Sequence, residues 1–156
     1  METCQIKTPL GIAEISGDNN GISQILVLDK GQVSEIIPEI LQNCINQLLE
    51  YFEGKRTLFS FKINQKGTHF QQKVWQELIN IPFGKTISYL DLAKKLGDSK
   101  VIRAAASANG KNKLWIVVPC HRVIGINGSL TGYAWGLWRK KWLLEHENPT
   151  NQQSLF

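Results

Sequence analysis

A cysteine and a histidine stand next to each other, directly after a proline that ends an apolar run. The run Leu114–Val118 predicts a buried strand, and Pro119 cannot donate to a sheet ladder. We therefore expect the strand to end at Pro119 and Cys120 to lie in an exposed loop at the rim of the sheet. A thiol attacks as the thiolate, and a nearby imidazole raises the thiolate fraction by taking the proton. Cys120 and His121 thus predict nucleophilic cysteine chemistry.

The geometry of this pair is left open by the sequence. Adjacent residues on extended backbone point to opposite sides, so a direct hydrogen bond between Cys120 and His121 needs a local turn or is replaced by a bridging water. The alternative for Cys120 is a small buried hydrophobe, which is how most free cysteines behave. Glu147 ends the last predicted helix, Leu137–Glu147, where the helix dipole disfavours a carboxylate. It either pairs with His121, which gives a Cys120, His121, Glu147 relay, or it is exposed at a frayed end.

Length and composition bound the class of protein. The chain has 156 residues, no run of eighteen apolar residues and no basic-then-apolar start typical of a signal peptide. We expect a soluble, cytoplasmic protein without a membrane partner. Its three cysteines, Cys4, Cys44 and Cys120, are widely spaced and form no C-x-x-C pair, so neither a disulfide framework nor a zinc site is predicted.

Charge is distributed unevenly along the chain. Residues 1–64 hold five lysines and arginines against eight acids, whereas residues 65–156 hold thirteen against five. The net charge of +5 therefore comes entirely from the second half. A basic excess concentrated in one half predicts a polyanionic partner, and nucleic acid is the favoured one.

The first half predicts a small α/β domain over residues 1–63. Alternating apolar residues and turn glycines indicate an antiparallel meander, and a 3.6-residue stripe after Pro38 indicates an amphipathic helix that buries Cys44. Leu58–Ile63 alternates again and is expected to add an edge strand. The three meander strands are predicted around Gln5–Lys7, Ile12–Ile15 and Ile22–Leu28.

The second half, residues 64–147, predicts a mainly helical domain followed by a flexible tail, 148–156. One helix begins after a Thr68 cap, and a shorter one begins after Ser88, with Asp91 three residues later as in a capping box. A tight link containing Gly97 leads to a second short helix, about Lys100 to Ala108. Two short helices joined in this way within a basic unit indicate a helix-turn-helix.

The second short helix has a nearly bare surface. Its residues 104–108 are four alanines and Ser107, which leaves Arg103 as the single long side chain. Such a helix can approach a nucleic-acid backbone closely, but it lacks the large side chains that read bases in the major groove. The alternatives are that the alanines simply pack well and that Arg103 is a solvated surface residue.

Several short segments form a pattern along the chain: Ile87-Ser88-Tyr89, Arg103-Ala104, Asn112, Pro119–Val123, Gly132-Tyr133 and Lys140–Glu147. Together they resemble the O6-alkylguanine-DNA alkyltransferases. The resemblance is strong over residues 68–147 and looser over 1–63. It implies an α/β protein with a small ribonuclease H-like N-terminal domain and a mainly helical, winged-helix-like C-terminal domain that carries the helix-turn-helix.

The resemblance implies direct reversal of DNA alkylation damage by a methylated-DNA–protein-cysteine S-methyltransferase. A monomer would bind duplex DNA from the minor-groove side without sequence preference, flip out O6-methylguanine or O4-methylthymine, and transfer the alkyl group to Cys120. The thioether is stable, so each molecule acts once, and no cofactor or metal takes part. A lesion-sensing protein without chemistry is the alternative, but such relatives carry another residue at the cysteine position. A cysteine hydrolase would leave the helix-turn-helix and the basic half unexplained.

Residue roles follow from the same resemblance. Cys120 would accept the alkyl group, His121 through a water and Glu147 would promote its thiolate, and Asn112 would brace the active-site turn. Arg103 would fill the space left by the flipped base, and Tyr89 would crowd a DNA phosphate and donate to guanine N3. The DNA-contacting set is Arg103, Tyr89, Ala104, Ser107, Lys111 and Arg122, and the guanine pocket set is Val123, Tyr133, Ala134 and Trp135.

Four features depart from the commoner family pattern or extend it. Lys113 stands where a proline usually follows the asparagine. Trp135 stands where many members have glycine, so we expect Trp135 to narrow the pocket mouth. Cys4 lacks the clustered ligands of members that bind zinc near the N-terminus, so no metal is expected. The ending Gln152–Phe156 resembles the short peptide by which bacterial repair proteins dock on the DNA sliding clamp, with an arbitrary disordered end as the alternative.

Overall fold

The computed structural model describes residues 1–126, 128 and 132–149. The chain divides into two compact units. Unit 1 comprises Met1–Lys66 together with Lys113–Trp115, and unit 2 comprises Gly67–Asn112 and the chain from Ile116 onward. Among the described residues, no helix is both long and apolar enough to span a bilayer.

Unit 1 is built on the predicted meander. Strands β1 (Glu2–Thr8), β2 (Gly11–Asp18) and β3 (Gly21–Leu28) pair antiparallel in that order. Gly11 and Gly21 open β2 and β3 at φ angles of 129° and 127°, which side-chain-bearing residues rarely adopt. The glycines at these turns therefore set where each strand begins.

Helix α1 (Glu39–Phe52) packs on β1 and β2 and closes the core of unit 1. Its buried face includes Leu41, Cys44, Ile45 and Leu48, each at most 1% exposed. Cys44 is thus a core residue, as its place on the apolar stripe predicted.

The expected edge strand at Leu58–Ile63 is wrong. Only Ile63 forms a bridge, to Ile22 of β3. The backbone N–H of Ser60 donates to the side-chain Oε1 of Gln47, at 2.9 Å. Because this backbone N–H is bonded to a side chain, it cannot pair with a neighbouring strand. The alternating apolar residues of Leu58–Ile63 therefore do not form a β-ladder.

Unit 2 contains the helices α2 (His69–Ile79), α3 (Tyr89–Lys95), α4 (Ile102–Gly110) and α5 (Leu137–Glu147). Both predicted caps are present as capping boxes, Thr68 with Gln71 and Ser88 with Asp91. A 3₁₀ turn precedes α4, which therefore begins two residues later than the sequence indicates.

A short parallel sheet positions the chemistry of unit 2. Strand β4 (Ile87–Ser88) runs directly into Tyr89, and strand β5 (Val123–Ile124) directly follows the Cys120–Arg122 turn. The two strands pair with Ile87 opposite Val123 and Ser88 opposite Ile124. This pairing fixes the position of Tyr89, which follows β4, relative to the Cys120–Arg122 turn, which precedes β5.

The predicted strand Leu114–Val118 is also wrong. Leu114 forms one bridge with Ile25 inside unit 1, and residues 115–117 then turn. Ile116 has a φ of 70°, which breaks any extended run. An apolar segment buried on all sides has the composition of a core strand whatever its backbone does, and this explains the error.

Helix α5 buries a face that its apolar residues alone do not define. From its spacing of apolar residues, Leu137, Trp138, Trp142 and Leu144 would be expected to pack; Leu144 is buried, but Leu137 and Trp138 are 47% and 55% exposed. The buried positions are Arg139, Lys140, Leu143, Leu144 and Glu147. Positions 140, 143, 144 and 147 form one helical stripe, but it carries two charged residues, so hydrophobicity alone does not reveal it.

Candidate active site

A tight double turn shapes the segment around Cys120. Pro119 has φ −81° and ψ 65°, the conformation of an inverse γ-turn, and the N–H of Cys120 donates to the carbonyl of Val118 at 2.8 Å. The N–H of Arg122 then donates to the carbonyl of Pro119 at 3.0 Å and starts a 3₁₀ turn over Cys120–Arg122. The proline ring presets the first of these turns because it restricts φ.

The thiol is buried, so the expectation of an exposed Cys120 is wrong. Cys120 is 2% exposed, and it lines a cavity of about 550 Å³. Buried loops are rare because their backbone polar groups need partners. Here the side chain of Asn112 supplies a hydrogen-bond partner for the backbone carbonyl of Val118. The other residues that line the cavity are Tyr89, Ala106, Asn109, Gly110, Gly132, Tyr133 and Ala134.

Asn112 holds both the turn and the sulfur. Its Nδ2 donates to the carbonyl of Val118 at 2.8 Å and to Sγ of Cys120 at 3.3 Å. An amide nitrogen carries two hydrogens, so one side chain satisfies both acceptors. Asn112 is 2% exposed, which keeps these hydrogen bonds away from water.

Glu147 joins two side chains of the turn to the end of α5. Its Oε2 lies 2.8 Å from Nε2 of His121, and its two oxygens accept from Nε and Nη2 of Arg122 at 2.8 and 3.0 Å. The pairing of Glu147 with His121 is the geometry that the relay interpretation expected. The second partner, Arg122, adds the bidentate arrangement that a carboxylate and a guanidinium favour.

Burial and charge decide the protonation of this network. His121 and Arg122 hold the pKa of Glu147 far below its usual range despite the opposing effect of burial. Burial lowers the pKa of His121, and the opposing effect of Glu147 does not restore it, so the ring is neutral at neutral pH. A carboxylate only accepts, so Nε2 of His121 carries the proton and Nδ1 carries the lone pair. Nδ1 is buried and has no hydrogen-bond partner among the described residues.

Arg122 is buried, which does not fit its expected role as a DNA contact. The residue is 6% exposed, and its Nη1 donates to the carbonyl of Ile81 at 2.7 Å while the rest of the guanidinium binds Glu147. Phe83 lies beside the guanidinium, with its ring centre 5.8 Å from the central carbon. Arg122 therefore positions Glu147 and the turn that carries Cys120.

Lys140 was not among the site residues that the sequence indicated. It is 0% exposed, and its Nζ lies 5.8 Å from the ring centre of Tyr89 and 5.9 Å from that of Tyr133, two residues that line the cavity. Burial lowers the pKa of Lys140 to about 8, and interaction with Cys120 opposes the shift. The sequence signal that could have revealed Lys140 is its spacing from Glu147, since residues 140, 143, 144 and 147 share one face of α5.

Opposing effects set the acidity of the thiol. Burial raises the pKa of Cys120, while the hydrogen bond from Asn112, the nearby hydroxyl of Tyr133 and the charge of Lys140 lower it. Burial is the largest effect, so the thiol rests protonated at neutral pH. Reaction of Cys120 therefore needs a base, and the hydrogen-bond pattern leaves the lone pair on Nδ1 of His121 available as a candidate.

The remaining predicted pocket residues divide into two groups. Tyr133 and Ala134 line the cavity, as does Tyr89. Val123 is 0% exposed within β5, and Trp135 packs edge-on against Tyr133 with ring centres 5.5 Å apart. Neither is among the described residues that line the cavity.

The predicted DNA-contacting residues of α4 lie at the surface. Arg103, Ala104 and Ser107 are exposed, and Lys111 is exposed just after the helix ends. The opposite face of α4 buries Ala105, Ala108 and Asn109. One short helix thus presents a surface to solvent and places Asn109 and Ala106 at the cavity.

No metal centre is formed by the part of the chain that the structure describes. Within it, no three histidine, cysteine, aspartate or glutamate side chains group closely enough to hold an ion. The described chemistry is therefore that of a thiol, an imidazole–carboxylate pair and a buried ammonium group.

Two family models match the chain in succession. Residues 4–65 match the 6-O-methylguanine DNA methyltransferase, ribonuclease-like domain, and residues 69–149 match the 6-O-methylguanine DNA methyltransferase, DNA binding domain. Together the two matches cover most of the sequence.

Similar whole proteins carry the same description. The constitutive methylated-DNA–protein-cysteine methyltransferase of Bacillus subtilis is 44% identical over 139 residues, which covers 82% of this chain and 83% of that protein. The crystal structure of Mycobacterium tuberculosis O6-methylguanine methyltransferase superposes with a TM-score of 0.85 at 37% identity, covering 95% of this chain and 93% of that one. A structure of Mycobacterium tuberculosis OGT in complex with DNA has a TM-score of 0.83 at 37% identity, with coverages of 97% and 92%.

We predict that Glu147→Gln destabilises the protein by about 3–5 kcal/mol, because it leaves the buried guanidinium of Arg122 without its counter-charge. The measurement is the free energy of unfolding in urea at neutral pH, with the exposed Glu53→Gln as control. The folded-state pKa of Glu147 is lowered, so its contribution is complete above the unfolded carboxyl pKa of about 4.3 and is lost as pH falls below it. The difference in the free energy of unfolding between wild type and Glu147→Gln should therefore shrink on acidification. A difference that does not change with pH would contradict the pairing of Glu147 with His121 and Arg122.

We predict that Lys140→Met raises the pKa of the Cys120 thiol and slows its reaction with iodoacetamide several-fold near pH 7. The physical reason is the loss of a buried positive charge next to the forming thiolate. Because the pKa of Lys140 is about 8, the advantage of wild type should fade as pH rises through that value. Lys141→Met, at the adjacent exposed position, is the matched control. Equal pH–rate profiles for Lys140→Met and wild type would refute this role.

Proposed function

Because this chain belongs to the 6-O-methylguanine DNA methyltransferase family, we propose that Cys120 is the residue that accepts the alkyl group from damaged DNA. The chain is a methylated-DNA–protein-cysteine methyltransferase that reverses alkylation damage by transfer to a cysteine. One observation carries the assignment to Cys120. Its sulfur, held by Asn112, lies at the wall of a cavity and next in sequence to a histidine that is paired with a buried carboxylate.

The transfer begins with activation of the thiol. We assign Nδ1 of His121 as the base that takes the thiol proton through a bridging water, because Nε2 is committed to Glu147. Asn112, Tyr133 and Lys140 then favour the thiolate through hydrogen bonds and charge. Glu147 stabilises the imidazolium that forms, and Arg122 keeps the carboxylate in place.

The thiolate of Cys120 attacks the alkyl carbon on O6 of guanine. The new S–C bond forms as the O6–C bond breaks, and its electron pair goes to the purine, which leaves as guanine once protonated. Tyr89, which lines the cavity, is assigned to donate to N3 of the leaving base. The product is a neutral thioether that has no ionisable proton, so Cys120 cannot act again, and each molecule repairs one lesion.

Helices α3 and α4 are assigned as the helix-turn-helix that meets duplex DNA. The exposed side of α4 supports this assignment, because small side chains there allow close approach to the minor groove. Arg103 would enter the stack where the damaged base has left it, and Lys111 would contact the backbone. Flipping costs a few kcal/mol of unstacking, and a mispairing lesion lowers that cost.

The finer architectural and partner assignments belong to the same proposal. We assign residues 1–63 to a ribonuclease H-like domain and residues 64–147 to a winged-helix-like domain. We also propose that the whole protein acts as a monomer in the cytoplasm. O4-methylthymine is proposed as a second substrate. The suggested clamp-binding segment Gln152–Phe156 and the tail that contains it, from residue 150, lie outside the described residues.

The central test is mass spectrometry after incubation with duplex DNA containing O6-methylguanine. We expect peptide mapping to show a gain of one CH₂ group on Cys120, with stoichiometry that stops at one per protein. Cys4 and Cys44 are buried in unit 1 and serve as internal controls. Cys120→Ser should bind the DNA and gain nothing. Binding of damaged DNA by wild type without any mass gain would support the lesion-sensing alternative instead.

Trp135 provides a second test of the pocket. Its ring packs against Tyr133, which lines the cavity, so we expect it to limit how far the wall can open for a bulky adduct. Wild type should be inactivated slowly by O6-benzylguanine, and Trp135→Gly should be inactivated faster, with similar rates for the two proteins on O6-methylguanine DNA. Equal inactivation rates by O6-benzylguanine would remove this role for Trp135.

A further inference from the structure

Asn109 carries a buried acceptor that the steps above do not use. The residue ends the buried face of α4 and is 5% exposed. Its Nδ2 lies 3.4 Å from the carbonyl oxygen of Cys120, as a donor. Its Oδ1 is shielded from water and has no hydrogen-bond partner among the described residues. Buried polar atoms without partners are rare in folded proteins, and each calls for a physical explanation.

The orientation of this amide is fixed by its neighbour. Exchanging the amide oxygen and nitrogen would place Oδ1 against the carbonyl of Cys120, and two acceptors would then face each other. Nδ2 must therefore lie towards Cys120, which leaves Oδ1 as the atom without a partner. The same side chain lines the cavity together with Cys120, Tyr89 and Tyr133. A molecule that enters this cavity can therefore supply the missing donor.

The proposed reaction restricts what that donor can be. Alkylation at O6 removes the hydrogen from N1 of guanine, so the 2-amino group is the only N–H donor left on the base. O4-alkylthymine has no N–H donor, because N3 loses its hydrogen in the same way. An acceptor at the cavity wall can therefore distinguish the two lesions.

Resting on the proposed function, we propose that Oδ1 of Asn109 accepts a hydrogen bond from the 2-amino group of the extruded base. Asn109 is then a specificity-determining residue that favours O6-alkylguanine over bases without an exocyclic amine. Sites built to bind an N–H group discriminate against analogues that lack it, because the acceptor is left unpaired in the smaller complex. A single neutral hydrogen bond accounts for a factor of about ten.

The test compares two duplexes that differ in one amino group. Single-turnover rates of methyl transfer are measured on DNA with O6-methylguanine and on the same DNA with O6-methylhypoxanthine, which lacks the 2-amino group. The proteins are wild type, Asn109→Leu, which removes the acceptor at similar size, and Asn109→Asp, which keeps an acceptor. The ratio of the two rates is the readout, since a defect in holding Cys120 changes both rates together.

We expect the guanine-to-hypoxanthine rate ratio of Asn109→Leu to fall about tenfold below that of wild type, and that of Asn109→Asp to stay near wild type. An unchanged ratio in Asn109→Leu, or an equal fall in both variants, would overturn the inference and leave Asn109 as a support for the Cys120 carbonyl. If Asn109→Leu does not fold, Asn109→Asp serves as the test. A guanine-to-hypoxanthine rate ratio of Asn109→Asp that falls well below that of wild type would contradict an acceptor role for Asn109. Wild type that transfers no methyl group from either duplex would overturn the proposed function, and this inference with it.

Discussion

The buried contact between Glu147 and the pair His121 and Arg122 is the interaction on which unit 2 depends. A carboxylate that is taken out of water needs full compensation, and here it receives one imidazole and a bidentate guanidinium. The contact ties the end of α5 to the turn that carries Cys120. It also fixes the tautomer of His121 and so leaves Nδ1 with a lone pair. One electrostatic constraint therefore sets both the position of Cys120, the proposed nucleophile, and the availability of Nδ1 of His121, its proposed base.

A second constraint is the burial of the thiol itself. Desolvation keeps Cys120 protonated at rest, while Asn112, Tyr133 and Lys140 lower the cost of forming the thiolate. This balance suits the proposed role of Cys120 as an alkyl acceptor that is used once, because a permanently ionised thiol would react with other electrophiles. The cavity restricts access to what can enter beside Tyr89 and Tyr133. Reactivity and protection thus come from the same packing.

Much of the fold could be predicted from local signals. The meander follows from alternation and turn glycines, and α2 and α3 begin at the capping boxes of Thr68 and Ser88. The errors share one cause. Leu58–Ile63 and Leu114–Val118 have strand composition, but a side-chain hydrogen bond from Gln47 and the positive φ of Ile116 redirect their backbones. Such interactions involve partners distant in sequence or a backbone state forced by packing, and no local pattern encodes them.

The sequence alone determined which groups are available for chemistry: a thiol after a turn-forming proline, an adjacent imidazole, and a carboxylate that needed a partner. These depend on residue type and short spacing, which are properties of the chain itself. Only the tertiary structure decided which groups are buried and what they face. In the folded chain, Arg122 binds Glu147, although the sequence suggested a DNA contact, and Cys120 lines a cavity, although the sequence suggested an exposed loop. Lys140 and Asn109 also lie at this site, which the sequence did not indicate. Desolvation and pairing act between residues far apart in sequence, so they come into existence only when the chain has folded.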